Sequence, residues 1–246
     1  MRRSKKIFCG AVVVFTFFAQ LSSATIVDLT TSGSSGIINS GLFLQMNPDN
    51  AAGSGLFDSF LRIQKTGIES GYNTDGKLEF NTKSGPFTHS LLLSAVPVVT
   101  VGGIDYREFY LDINQNSQVM LSLDELKFYL AATGNLTNYP TGFGAAIYDL
   151  DAGGDNWVKM NYSLNPGSGR ADIVALVPSN LFGSDNNKYV YLYSKMGVNL
   201  SSNDGFEEWA VGEGGPIIPG PTTTPEPATI CMLGFGGLAL LRKRRA

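Results

Sequence analysis

The stretch that decides the fold is Glu108-Phe109-Tyr110-Leu111-Asp112-Ile113, in which apolar side chains alternate with more polar ones. Successive side chains of a β-strand point to opposite faces of the sheet, so this pattern predicts a strand with one face in a core. Comparable strand-like patterns recur at residues 77–81, 158–164, 171–177 and 188–194. The chain is therefore expected to fold largely from short strands.

Clusters of Gly, Asn, Asp and Pro separate these segments, at residues 73–76, 102–103, 151–154, 165–167 and 184–187. Turn residues at this spacing, without a long helical stripe, favour antiparallel sheets. We predict an all-β fold, a jelly-roll-like antiparallel β-sandwich, over residues 25–211.

One segment has two interpretations. Ser122-Leu123-Asp124-Glu125 is a capping-box pattern that could open a helix through Ala132. Residues 126–130 instead alternate between apolar and more polar side chains, as a strand does. The alternation favours the strand.

Charge is distributed unevenly along the chain. The 246 residues include 18 Lys and Arg and 21 Asp and Glu. Eight of the basic residues lie in the two termini, which leaves ten basic residues against twenty acidic ones between residues 25 and 219. An acidic surface of this size repels phosphate backbones, so we expect no nucleic-acid partner.

The two cysteines, Cys9 and Cys231, both lie in terminal apolar segments. The region between them can form no disulfide, thiolate metal site or cysteine nucleophile. A domain of this size can bury roughly 70% of its unfolded surface, so it needs no covalent staple to fold.

Residues 1–24 have the organisation of a secretory signal peptide. Four basic residues precede an apolar run at residues 7–19, and small residues follow at Ser22 and Ala24. We predict a signal helix that the secretion translocon receives and signal peptidase cuts between Ala24 and Thr25. An uncleaved anchor is the alternative, although the run is shorter than the roughly 20 residues that a bilayer requires.

The C-terminus has three parts in a fixed order. Pro225-Glu226-Pro227 is followed by the uncharged segment 228–241 and then by Arg242-Lys243-Arg244-Arg245. This pattern resembles the PEP-CTERM sorting signal of exported bacterial proteins. The resemblance implies recognition and cutting by an exosortase, a membrane-embedded protease, and covers residues 225–246.

Residues 228–241 are predicted to form a single transmembrane helix. The basic cluster would hold its end on the cytoplasmic side, and the prolines would stop the helix from growing outward. Fourteen helical residues rise only about 21 Å, so the helix suits transient anchoring in the inner membrane. A permanent weak anchor remains the alternative. Residues 212–224, rich in Pro, Gly and Thr, are predicted to form an extended stalk.

The domain has few of the residues that catalysis requires. His89 is the only histidine, there is no G-x-S-x-G motif, and we expect His89 to be an ordinary strand residue. The adjacent acidic pairs Asp124-Glu125 and Glu207-Glu208 should point to opposite faces of their strands, which makes each a poor glycosidase dyad. We therefore expect no enzymatic activity and no cofactor.

Two oxygen-rich turns leave calcium binding open. Asp112, Asn114 and Asn116 occupy positions 1, 3 and 5 of an EF-type loop, but Ser117 replaces the glycine of position 6. Asp149, Asp151 and Asp155 surround a Gly-Gly pair without such spacing. A solvated hairpin loop is the favoured interpretation of the first turn.

Tyr189, Tyr191 and Tyr193 should form a row on one face of a strand. Such a row could stack on sugar rings, or it could cover a sheet edge or pack in a core, which we favour. Three N-x-S/T sequons, at Asn135, Asn161 and Asn199, occur about as often as chance predicts and leave glycosylation open.

The ends of the chain thus predict an exported protein that is anchored transiently and then released to the cell surface or outside. The resemblance adds an association with extracellular polysaccharide. We expect a non-enzymatic surface or matrix protein. A polysaccharide-binding module is the alternative, and a glycosidase is a weaker one.

Overall fold

The described chain consists mainly of β-strands. The computed structural model describes residues 24–46, 57–116, 119–203 and 205–211. Within these ranges there are sixteen strands: β1 Ile26–Leu29, β2 Ser35–Ile38, β3 Gly41–Gln45, β4 Ser59–Ile63, β5 Thr66–Gly67, β6 Glu69–Tyr72, β7 Leu91–Leu92, β8 Val98–Val101, β9 Ile104–Ile113, β10 Met120–Ala131, β11 Tyr148–Asp149, β12 Trp157–Asn161, β13 Ile173–Pro178, β14 Tyr189–Met196, β15 Ser202–Asn203 and β16 Glu207–Val211. Short 3₁₀ turns occur at Leu93–Ala95, Tyr162–Leu164 and Ser179–Phe182.

The strands form two large sheets. The first has the order β1-β12-β10-β14-β6, with β11 paired to β10 and β7 paired to β14. The second has the order β2-β3-β13-β9-β16-β4, with β8 paired to β9. Neighbouring strands of the described chain are antiparallel except β1 and β12, which are parallel. The predicted antiparallel β-sheet fold is confirmed, and the jelly-roll-like arrangement stays a prediction.

A common hydrophobic core lies between the sheets. Phe109, Leu111 and Ile113 of β9 are fully buried there, as their alternation predicts. The Phe109 ring lies 4.6 Å from the ring of Phe128 on β10, which belongs to the other sheet. Burying apolar surface of this kind stabilises the fold by roughly 25 cal/mol per Å².

Four strand predictions are confirmed by β9, β10, β13 and β14. The ambiguous segment 122–125 lies within β10 and does not open a helix. The pairing of β10 with β14 is irregular between Leu123 and Glu125. The strict alternation of side chains is interrupted there, so the prediction that Asp124 and Glu125 point to opposite faces does not follow from strand geometry.

Two local predictions are wrong, and a third is correct only in part. Residues 77–81 form no strand, because Phe80 adopts the left-handed conformation with φ 56°. The strand predicted over residues 158–164 ends at Asn161, whose side chain accepts a hydrogen bond from the Ser163 amide and begins a 3₁₀ turn. His89 lies before β7 and not in a strand, with its Nδ1 2.8 Å from the Ser90 carbonyl oxygen.

The predicted membrane segments lie outside the described residues, which exclude 1–23 and 212–246. Among the residues that the structure does describe, no helix has the length and apolar character needed to cross a membrane.

Candidate binding face and buried carboxyl groups

The tyrosine row of β14 lies on the outer side of the first sheet. Val190 and Leu192 point into the common core, so Tyr189, Tyr191 and Tyr193 face the other way. The loop of residues 132–147, between β10 and β11, packs over this side. Tyr191 is only 1% exposed and Tyr193 only 7%, so the interpretation of the row as a packed surface is the correct one.

Seven rings form what we call the aromatic cluster: Tyr72, Phe80, Tyr129, Tyr139, Phe143, Tyr191 and Tyr193. The rings of Tyr139 and Tyr193 are nearly parallel, with centroids 4.3 Å apart. Phe143 meets Tyr191 edge to face at 5.1 Å. Such contacts favour one fixed arrangement of the rings, so the covering loop is held against the sheet.

Glu79 fastens two loops at the edge of this cluster. Its Oε2 accepts hydrogen bonds from the Tyr72 hydroxyl at 2.7 Å and the Tyr139 amide at 3.1 Å. Its Oε1 accepts one from the Asn138 amide at 3.0 Å. The Tyr72 hydrogen bond is the largest cause of a lowered pKa of the Glu79 carboxyl; burial opposes it, and the Asn138 and Tyr139 amides add to the lowering.

Phe80 is the exposed member of the aromatic cluster. Its side chain is 54% exposed, and three neighbouring rings meet it edge to face at 6.0 to 6.3 Å. The exposed position of Phe80 could not be predicted from the sequence, since the residues around it alternate as in a strand. A left-handed conformation at a non-glycine residue depends on contacts with distant parts of the chain.

Glu207 and Glu69 form a buried pair between the sheets, and both side chains are fully buried. Glu207 Oε1 accepts a hydrogen bond from Gln115 Nε2 at 2.6 Å, and Glu69 Oε2 accepts one from the Lys65 amide at 2.7 Å. A hydrogen bond between the two carboxyl groups requires a proton on one of them, and the nearness of Glu69 favours the protonated form of Glu207. Burial, and then Glu69, raises the pKa of the Glu207 carboxyl well above its usual range.

A second buried group contains Asp112 and Asp172. Asp112 Oδ2 accepts from the Gly169 amide at 2.5 Å, and Asp172 Oδ2 accepts from the Ile113 amide at 2.8 Å. Burial raises the pKa of Asp112 to about 7, against the effect of the Gly169 amide. Burial also raises the pKa of Asp172 well above its usual range.

The adjacent acidic residues Glu207-Glu208 and Asp124-Glu125 contact different partners. Glu208 is paired with Arg62, with Oε1 2.8 Å from Nε, while its neighbour Glu207 binds Gln115 and Glu69. Asp124 accepts from Ser122 Oγ at 2.8 Å, and Glu125 Oε1 lies 2.9 Å from Lys195 Nζ. The two carboxylates of each adjacent pair therefore bind different partners.

In the first oxygen-rich turn, which contains Asp112, Asn114 and Asn116, the polar groups form hydrogen bonds within the protein. Asp112 Oδ1 accepts from Asn114 Nδ2 at 3.1 Å, and the Asn116 amide donates to Asn203 Oδ1 at 2.8 Å. The favoured interpretation was a solvated loop, but Asp112 itself is fully buried.

In the second turn, Asp149 Oδ1 accepts from the Asp151 amide at 3.0 Å, and Asp149 Oδ2 lies 3.3 Å from Lys127 Nζ. Burial, then Glu125 and Asp149, raises the pKa of Asp151 to about 6. Across the described ranges, no three acidic, histidine or cysteine side chains are grouped so that they could hold a metal ion.

An open cleft of about 610 Å³ lies beside β9 and the 3₁₀ turn Ser179–Phe182. Its lining includes Ile104, Asp105 and Leu181. The Asp105 carboxylate accepts a hydrogen bond from Thr100 Oγ1 at 2.6 Å. The cleft shares no residue with the aromatic cluster or with the buried carboxyl groups.

The described domain and the C-terminal segment together define a β-sheet protein with a C-terminal sorting signal. The family model of the PEP-CTERM protein-sorting motif matches residues 223–245, so the chain carries this sorting motif at its C-terminus. The match spans Pro225-Glu226-Pro227 and Arg242-Lys243-Arg244-Arg245, all outside the described residues. The motif indicates an exported protein that passes through the membrane and is sorted by an exosortase. Comparison with curated proteins gave no match, and neither did comparison with solved structures.

Proposed function

We propose that this protein is a non-enzymatic component of the cell surface or extracellular matrix and that it associates with exopolysaccharide. The observation that carries the proposal is the sorting motif at residues 223–245 on a chain whose described part is a β-sheet domain. In this proposal the translocon exports the chain, signal peptidase cuts after Ala24, and an exosortase cuts near Pro225-Glu226-Pro227. The stalk at 212–224 and the helix at 228–241 present that site.

The placement of the acidic residues supports a role other than glycoside hydrolysis. A glycosidase brings two carboxyl groups to either side of a sugar bond. Glu69, Glu207, Asp112 and Asp172 are all buried and hydrogen-bonded inside the domain. Carboxyl groups in these positions do not reach a polymer outside the protein.

Cell fractionation of the producing organism tests the association. We expect the mature protein in the fraction that carries the exopolysaccharide, and we expect digestion of the polysaccharide to release it. Retention of the mature protein on cells stripped of polysaccharide would contradict this part of the proposal.

A second assay tests the absence of enzymatic activity. The purified mature protein is incubated with the organism's own exopolysaccharide, and new reducing ends are measured. We expect none above the background. Release of reducing ends above the background by the purified protein would establish a glycosidase instead.

A further inference from the structure

We propose that the exposed ring of Phe80, together with the adjoining edge of the aromatic cluster at Tyr139, is a stacking site for a neutral sugar chain. The proposal rests on the exopolysaccharide association proposed above and assigns it to one surface of the domain.

The backbone at Phe80 is strained and firmly held. Positive φ is uncommon for a bulky side chain, and such strain persists only where the surroundings impose it. On one side, Glu79 accepts three hydrogen bonds. On the other, the Asn81 amide donates to the Ser70 carbonyl oxygen at 2.9 Å, and Asn81 Oδ1 accepts from the Ser70 amide. Phe80 is therefore held in position by its two neighbours in the chain.

Two residues with positive φ lie close together at this edge. In the described part of the chain, four non-glycine residues have positive φ, and two of them, Phe80 and Asn138, meet at Glu79. Backbone outliers of this kind cluster at binding and catalytic sites, where the strain positions a functional group. Here the group that is positioned is an aromatic ring that faces solvent.

The ring is fixed without being covered. The Tyr72, Tyr139 and Tyr193 rings meet it at interplanar angles of 71 to 79°, while 54% of the Phe80 side chain stays exposed. Holding a ring in its binding orientation lowers the entropy lost when a ligand arrives. The arrangement suits a partner that gains from a rigid flat surface.

A sugar ring is such a partner. The face of an aromatic ring is negative and its edge positive, so the weakly positive C–H groups on one side of a pyranose are attracted to that face. Lys77 and Asn138, both exposed, lie in the two loops that Glu79 joins and can hydrogen-bond to hydroxyl groups.

The charge of the domain selects among sugar polymers. Between residues 25 and 219 there are twenty acidic residues and ten basic ones. Their field repels a chain of uronates or sulfated sugars and leaves a neutral chain unaffected. We therefore assign the site to neutral sugars.

Affinity electrophoresis of the purified mature protein tests the site. The gels contain the organism's own exopolysaccharide, separated by anion exchange into neutral and uronate-bearing fractions. The variants that test the site are Phe80→Gly and Phe80→Trp. The control is Phe87→Ala, because Phe87 is also exposed but stacks against Arg62, outside the aromatic cluster.

We expect the neutral fraction to retard the wild type. Phe80→Gly should raise the dissociation constant roughly tenfold, a loss that fits one aromatic contact, while Phe80→Trp and Phe87→Ala should stay within about threefold of the wild type. Glycine accepts the left-handed backbone freely but loses the three ring contacts of Phe80. The melting temperature of Phe80→Gly is therefore measured as well, and a variant that is folded at the assay temperature separates loss of binding from loss of folding.

Equal retardation of Phe80→Gly and the wild type would overturn the site and leave the proposed function standing. Retardation by the uronate-bearing fraction alone would overturn the assignment to neutral sugars. If neither fraction retarded the wild type, both the site and the exopolysaccharide association would fail.

Discussion

Glu207 and Glu69 are the residues whose burial should make the stability of this protein most sensitive to pH. Both are enclosed between the sheets, and a hydrogen bond between them needs a shared proton. The nearby Arg62 is paired with Glu208 instead. Charging both carboxyl groups at high pH would place two like charges close together in the interior, which is strongly unfavourable.

The first prediction is that the melting temperature falls between pH 5 and pH 8. The pKa values of Glu207, Asp112 and Asp172 are raised by burial, and that of Asp112 rises from 3.8 to about 7. The folded state therefore binds more protons than the unfolded state in this range, so stability is present at low pH and is lost as pH rises toward the folded pKa. Thermal melts at constant ionic strength measure the effect.

Glu207→Gln is the matched variant, because an amide can donate to Glu69 without a proton from solution. We expect it to be more stable than the wild type at pH 8 and to show a smaller dependence on pH. A wild-type melting temperature that was constant or rose from pH 5 to pH 8 would contradict the assignment of a shared proton.

The second prediction concerns Gly205, which lies against the backbone of β9's end. A β-carbon at this position would overlap the Asn114 carbonyl group, and backbone atoms cannot move aside as a side chain can. Gly205→Ala should lower the melting temperature by more than Gly33→Ala, where the β-carbon meets open space and only the positive φ opposes it. If the two variants lowered the melting temperature equally, the close contact between Gly205 and the Asn114 carbonyl group would be contradicted.

At the scale of elements, the loop of residues 132–147 converts an exposed tyrosine row into a buried one. The Tyr191 hydroxyl donates to the Thr133 carbonyl oxygen at 2.7 Å and accepts from the Leu136 amide at 2.9 Å. Glu79 adds the hydrogen bonds to Asn138 and Tyr139. Polar contacts along residues 133–139 of the loop thus support the packing of the Tyr139 and Phe143 rings.

The third prediction is that Glu79→Ala loosens this loop. The change removes the acceptor for two backbone amides and one hydroxyl, so amide hydrogen exchange should accelerate in residues 132–147. Glu125→Ala is the control, since that carboxylate makes surface ion pairs with Lys195 and Lys127, which contribute little to stability. Unchanged exchange in Glu79→Ala would show that the rings alone hold the loop.

Local periodicity was sufficient to predict β9, β10, β13 and β14, because burial of one or both faces leaves a pattern in each strand. It failed at residues 77–81, where the same alternation occurs but Glu79 and Asn81 are held by other parts of the chain. The tyrosine row was visible in the sequence. Its covering loop, the position of Phe80 and the pairing of Glu69 with Glu207 were not, since each depends on contacts between distant segments.

At the scale of the whole molecule, stability comes from the two packed sheets and needs no covalent link. Cys9 and Cys231 are the only cysteines of the sequence, and the proposed processing removes both. The fourth prediction is that the mature protein melts at the same temperature with and without dithiothreitol. A clear shift would mean that a terminal segment with its cysteine is retained.

The fate of the tail depends on two separate features. The basic residues 242–245 are proposed to hold the helix in the membrane, and Glu226 supplies the only charge of the Pro-Glu-Pro motif. Replacing the four basic residues with Ser removes the charge that orients the helix, so the chain should slip in the membrane or be released uncut. Glu226→Ala should leave full-length protein in the membrane. The masses of these two variants provide the uncut reference against which the mass of the wild-type protein is compared.

The measurement that tests the central claim most directly is the intact mass of the wild-type protein from the cell-surface fraction. Sorting and processing predict a chain that begins at Thr25 and lacks residues 228–246. A surface protein that still contained residues 228–246 would show that the tail is a permanent anchor and would contradict the account.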